Sequence, residues 1–114
     1  MLRKVVMVGV LLFASAASAA EPWHGRWGMT PEACKIDGDT SETAPLFANA
    51  KSVRWFVAHC QIRSATKIAT GVRIKASCAN EGHKVTIPIV LEPQGDVMRV
   101  TWEGGRVPDM RRCQ

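Results

Sequence analysis

Histidine and cysteine are the side chains of this sequence best equipped for acid–base, nucleophilic or metal chemistry. There are three histidines, His24, His59 and His83, and four cysteines, Cys34, Cys60, Cys78 and Cys113. The histidines show neither H-x-x-H nor H-E-x-x-H spacing, so no helical metal pair is built from them. His24 stands between Trp23 and Trp27, and a pocket formed by these three would shift its pKa towards acid–base use. His59 directly precedes Cys60 on the outward side of a strand and reads as an exposed histidine. The cysteines lie 26, 18 and 35 residues apart with no C-x-x-C pair, which does not suit zinc. The D-G-D-T-S-E run from Asp37 to Glu42 is acidic, but it lacks the ligand spacing and closing glutamate of a calcium hand. There is no G-x-S-x-G elbow and no phosphate-cradling glycine loop. No catalytic set, metal or cofactor is therefore expected, and all four cysteines are best used as disulfides.

The elements that must position these residues centre on Val53 to Asn80, which predicts a long β-hairpin bent about residue 69. Phe56, Ala58, Cys60 and Ile62 share one face of its first arm, and Val72, Ile74, Ala76 and Cys78 share one face of its second. Folded this way, Cys60 lies opposite Cys78, which leaves Cys34 to join Cys113. Chain-entropy arithmetic puts the shorter loop at ~3 kcal/mol and the longer at ~4.5 kcal/mol. The outward positions collect Arg63, Arg73, Lys75, Lys84 and Arg99, a basic stripe on strands expected to be neighbours. Charge on a solvated strand face also guards against edge-to-edge aggregation. Trp55 and Val57 fall on the same outward side in this register, covered by the N-terminal segment or forming part of a contact surface.

The first twenty residues carry Arg3 and Lys4, an apolar run from Val5 to Ala14, and then S-A-A-S-A-A. That is the order of a secretory signal peptide, and the run is too short for a spanning helix of ~20 residues. Cleavage near Ala19 or Ala20 removes twenty of 114 residues and leaves 94, one small disulfide-linked domain over 21–114. Taking Arg3 and Lys4 from the fifteen basic residues leaves thirteen against ten acidic ones, a net charge of about +3. Disulfides in an exported chain fit a periplasmic or secreted location. That location and the small net charge both disfavour nucleic acid as a partner.

After Trp23 and Trp27, Thr30-Pro31-Glu32 reads as a helical turn capped by Thr30 with Pro31 at its first position. Ala44 to Ala50 is compatible with a short strand or a turn of helix. Lys84 to Leu91 alternates with Val85, Ile87, Ile89 and Leu91 on one face, and Pro88 marks an edge or a bulge. Val97 to Glu103 places Met98, Val100 and Trp102 inside, and Val107 to Cys113 forms a last short strand. Turn signals about every ten residues make this an all-β antiparallel meander. Six or seven strands would curl into a small barrel or half-barrel.

Gly25-Arg26-Trp27 resembles the G-x-W opening of lipocalin-like barrels. That resemblance implies a Trp plugging one barrel end beneath a basic residue from a late strand, here Arg106, Arg111 or Arg112. Trp23, Gly25, Trp27, Pro31 and Cys34 form a W-x-G-x-W-x-x-x-P-x-x-C opening. Together with the cysteine in each hairpin arm and the C-terminal cysteine, it resembles small exported proteobacterial proteins of uncharacterised function. A looser similarity is to periplasmic lysozyme-inhibitor barrels, although this chain lacks their S-G-x-x-Y loop and has no tyrosine. The resulting expectation is a non-catalytic, envelope-associated binding domain. Its partner would be an anionic envelope component or a periplasmic protein. Inhibition of a hydrolase such as lysozyme is the alternative.

Overall fold

Alternation of apolar and polar residues governs most of the chain, and the strands follow it. The computed structural model describes residues 20–38, 41–80 and 82–114; the expected signal segment lies, but for Ala20, outside them. The strands are β1 Gly25–Gly28, β2 Leu46–Ala48, β3 Ser52–Trp55, β4 Ala58–Ile68 and β5 Gly71–Asn80. They continue as β6 His83–Gln94, β7 Val97–Trp102, β8 Gly105–Arg106 and β9 Met110–Arg112. Neighbours pair antiparallel in the order β6-β5-β4-β3-β2-β1-β9-β7, and pairing of β6 with β7 closes the ring. The fold is an eight-stranded antiparallel barrel, with β8 added alongside β7.

Inward positions of every barrel strand meet in one core. Trp27, Leu46, Val53, Ile74, Ile89, Leu91, Met98, Val100 and Met110 are fully enclosed, and no polar or charged residue is buried among the described residues. Both expected disulfides are present. Cys60 and Cys78 are register partners across β4 and β5, and Cys34 joins Cys113 over 79 residues. Thr30 begins a 3₁₀ turn over Ala33–Lys35, where its Oγ1 accepts from the Ala33 N–H at 3.2 Å. No α-helix occurs among the described residues, and none of their helical segments is long and apolar enough to cross a membrane.

Two breaks raise the strand number above six or seven. The first hairpin arm is not continuous: Phe56 and Val57 form a two-residue turn, so Trp55 pairs with Ala58 and Val53 with Cys60. Phe56 takes φ 55 there, a left-handed conformation that sequence signals reserve for Gly or Asn. The last segment is broken between Arg106 and Met110, on either side of Pro108. β2 is real but only three residues long. Asn49 fixes its return, with Oδ1 accepting from the N–H groups of Lys51 and Ser52 at 2.8 Å each. Pro88 does mark an edge. The β6–β7 ladder begins at Ile89 opposite Trp102, while Pro88 still pairs with Lys75 of β5.

Candidate functional site: a basic outer face and a tryptophan-plugged barrel end

Register rather than sequence spacing decides which cations meet. Arg73 and Lys75 project from the outer side of β5, two residues apart. Thr66 and Val90 flank Arg73, and Ser64 and Pro88 flank Lys75. Both cations are exposed, as are Arg63 and Lys84. Arg63 sits at a bulge, where the β4–β5 register shifts between Ile62 and Ser64. The bulge reverses the parity of β4, so Ala65 and Lys67 stand on the Ile74 and Val72 side. Lys84 pairs with Ala79, further along the same outer face. Among the described residues, β3 to β6 carry no carboxylate before Glu92. The Arg106–Asp109 and Arg112–Asp96 ion pairs lie beyond these strands, the first where the Arg73 row ends at β8.

Two of the stripe residues separate from this group. Arg99 lies directly opposite Glu92 across β6 and β7, so its charge is locally balanced. Glu92 also accepts from the Thr70 hydroxyl at 2.6 Å. Trp55 is not on the outer face. The turn at Phe56–Val57 puts it on the Val53 side, half-buried against the core with its ring edge-on to Trp102 at 5.3 Å. Of Trp55 and Val57, it is Val57, at the turn, that is largely exposed.

Sequence reasoning missed two cations that belong with the face. Phe47 is the register partner of both Arg26 and Arg54, and Arg54 is the partner of His59. His59 faces Ala79, which faces Lys84. One outward row thus crosses six strands as Arg26, Phe47, Arg54, His59, Ala79 and Lys84. Alternation within each strand marks Arg26 and Arg54 as outward, but only the long-range register joins them.

The Trp23, His24 and Trp27 group closes one end of the barrel. Trp27 is wholly enclosed, and its Nε1–H donates to the Trp23 carbonyl at 3.2 Å. The Arg112 guanidinium lies 4.2 Å from the Trp27 ring centroid and donates to the carbonyls of His24 at 2.9 Å and Pro22 at 2.8 Å. Arg112 is therefore the late-strand basic residue over the plugging Trp. Gly25 permits this, with φ 123 and an absent Cβ that would lie 3.0 Å from Arg112 Nη1. The His24 ring is edge-on to Trp23 at 4.2 Å, and its Nδ1 accepts from the Glu21 N–H at 3.1 Å. Nε2 is sealed and has no hydrogen-bond partner. Burial pushes the His24 pKa below its ordinary value, against a smaller upward pull from the Glu21 carboxylate. One ring nitrogen is thus hydrogen-bonded and the other enclosed, so neither is presented for acid–base work in this arrangement.

A cleft of about 360 Å³ opens beside Trp23, between Pro22, Pro93 and the Ile68–Val72 end of the β4–β5 hairpin. His24 and Trp27 do not line it. Among the described residues, no three His, Cys, Asp or Glu side chains are grouped to hold a metal ion. Compared with known protein families, curated proteins and solved structures, the chain matches none of them.

Proposed function

We propose that this chain is an exported, non-catalytic binding domain whose outer β4–β5–β6 face holds an anionic component of the cell envelope. The observation that carries this reading is the Arg73–Lys75 pair on β5, whose immediate register partners Ser64, Thr66, Pro88 and Val90 include no carboxylate. The first one met, Glu103, lies beyond Pro88, to whose carbonyl its N–H donates. A polyanion laid along β5 would meet cations at successive outward positions, about 6.6–6.8 Å apart along a strand. Hydroxyls of Ser64 and Thr66 are available as donors beside them. Two disulfides suit an oxidising compartment, and the N-terminal sequence suits export.

The test is retention of the purified domain on anionic envelope material across a salt gradient. Arg73→Glu with Lys75→Glu is expected to reduce retention at least tenfold near 0.05 M salt and to flatten the salt dependence. Retention unchanged by the double reversal would remove the face from consideration. Both side chains are exposed, so the fold is expected to survive the change.

A further inference from the structure

The outer face also holds a concave site away from Arg73 and Lys75. A cleft of about 380 Å³ lies between the Ile36–Gly38 loop and the outward side chains of β1, β2 and β3. Its floor is Phe47, with Arg26 and Arg54 on either side as its two register partners. We propose that this cleft binds a single anionic pyranose, a hexose ring bearing a carboxylate or a phosphate.

The lining supplies each part of that recognition. The Arg54 guanidinium stands 5.3 Å from the Phe47 ring centroid. That contact orients its planar fork of donors for a bidentate oxyanion contact. Arg26 Nη2 donates to the Ile36 carbonyl at 3.1 Å, which leaves most of its five N–H donors free. Neither guanidinium is ion-paired among the described residues. One strand spacing separates each arginine from Phe47, so the two cationic positions stand about 10 Å apart across the ring. Half-buried Phe47, with buried Pro45 beside it in the lining, offers an apolar surface to the C–H face of a pyranose, and the exposed Asp37 carboxylate offers an acceptor for its hydroxyls. A bare oxyanion would use the arginines and leave the apolar floor and Asp37 without a role. The volume falls within the roughly 300–1,000 Å³ usual for small-molecule sites.

The cleft is also built in advance of any ligand. The Cys34–Cys113 bridge and the Arg26–Ile36 hydrogen bond hold the preceding 3₁₀ turn and the loop against β1. Gly28 allows that approach, because a Cβ there would lie 2.9 Å from Cys34 Sγ and 3.0 Å from the Thr30 carbonyl oxygen. Such preorganisation lowers the entropy lost on binding. The site shares the basic surface but none of the residues that carry the polymer reading, so either can fail alone.

The experiment is an amide chemical-shift titration of the domain with glucuronate, glucose 6-phosphate, glucose and inorganic phosphate as separate arms. At least one of the two anionic sugars is expected to saturate near 1 mM, or about −4 kcal/mol. The moving amides should cluster at Arg26, Gly38, Phe47 and Arg54, and glucose should bind at least tenfold more weakly. Arg54→Gln, an exposed position, is expected to weaken binding about tenfold, and Phe47→Leu several-fold. The Arg73→Glu, Lys75→Glu variant should bind the sugar unchanged. Inorganic phosphate as tight as glucose 6-phosphate, or glucose as tight as glucuronate, would overturn the anionic-pyranose assignment. So would shifts clustered at Arg73 and Lys75, or no saturable shift with any arm.

Discussion

The guanidinium of Arg112 joins three separated parts of the chain at one barrel end. It covers the Trp27 ring, donates to the Pro22 and His24 carbonyls, and approaches Asp96 at 3.8 Å in the β6–β7 turn. Charge-assisted hydrogen bonds and a cation–π contact each contribute on the order of 1–2 kcal/mol in half-buried settings. Arg112→Ala is therefore expected to lower the unfolding free energy by about 2–3 kcal/mol, read from denaturant midpoints at unchanged m. Arg112→Lys should recover less than half of this, because one ammonium cannot stack on the ring and bridge two carbonyls. Full recovery by Lys would reduce the contact to simple charge. His24, on the same plug, makes stability depend on pH. Its folded pKa lies below the ordinary value of 6.5, so the unfolded chain binds the proton more readily. Its contribution is whole above about pH 6.5, falls as pH drops towards the folded pKa, and is lost below it. Protonation would also end the acceptance by Nδ1 from the Glu21 N–H. Denaturation series from about pH 7.5 to about pH 5 should show a loss that His24→Gln flattens. Equal slopes in the two proteins would show that His24 does not titrate against the fold.

At the scale of elements, what could be read from the sequence depended on whether a local residue type carried the signal. Cys60 opposite Cys78, the alternation of Ile87, Ile89 and Leu91, and the edge at Pro88 all follow from period-two patterning or from a missing donor. The turn at Phe56–Val57 carries no such signal. W-F-V-A reads as continuous strand, but Phe56 stands at positive φ in a turn across which Trp55 pairs with Ala58, with Val53, Trp55 and Ala58 packed in or against the core. That single break moved Trp55 from the outer face to the core. The Arg26, Phe47 and Arg54 row was hidden for a different reason. Each residue is locally unremarkable, and their meeting depends on pairings of β1 with β2 and of β2 with β3. The β7–β8 turn gives a direct test of strain from residue type. Glu103 at φ 53 and Gly104 at φ 80 form its two central residues. Asn is favoured over Glu at the first such position. Glu103→Asn is expected to stabilise the protein by about 0.5–1 kcal/mol. A neutral or destabilising result in thermal or chemical melts would mean that Glu103 makes contacts outweighing its backbone strain.

For the whole molecule, the two disulfides constrain different things. Cys60–Cys78 lies within the barrel wall and closes 18 residues of one hairpin, so the folded sheet already imposes most of its geometry. Cys34–Cys113 closes 79 residues, nearly the whole described chain, and ties the turn beyond β1 to the strand end beyond β9. A domain of this size buries a limited core, and net stabilities near 5–15 kcal/mol are ordinary. A loop term of ~4.5 kcal/mol is therefore a large share of what keeps it folded. Cys34→Ala with Cys113→Ala is expected to cost about 3–4 kcal/mol and to raise the denaturant m-value, because the released unfolded chain expands and exposes more surface. Cys60→Ala with Cys78→Ala should raise m much less, since its loop is short. Its stability loss should come partly from the space that the two buried sulfurs leave in the core. Urea titrations of both double variants beside the parent would separate these effects. An m-value unmoved by opening the 79-residue loop would show that the unfolded chain stays compact without that bridge. The stabilisation would then have to lie in the native contacts that hold the 3₁₀ turn against Gly28.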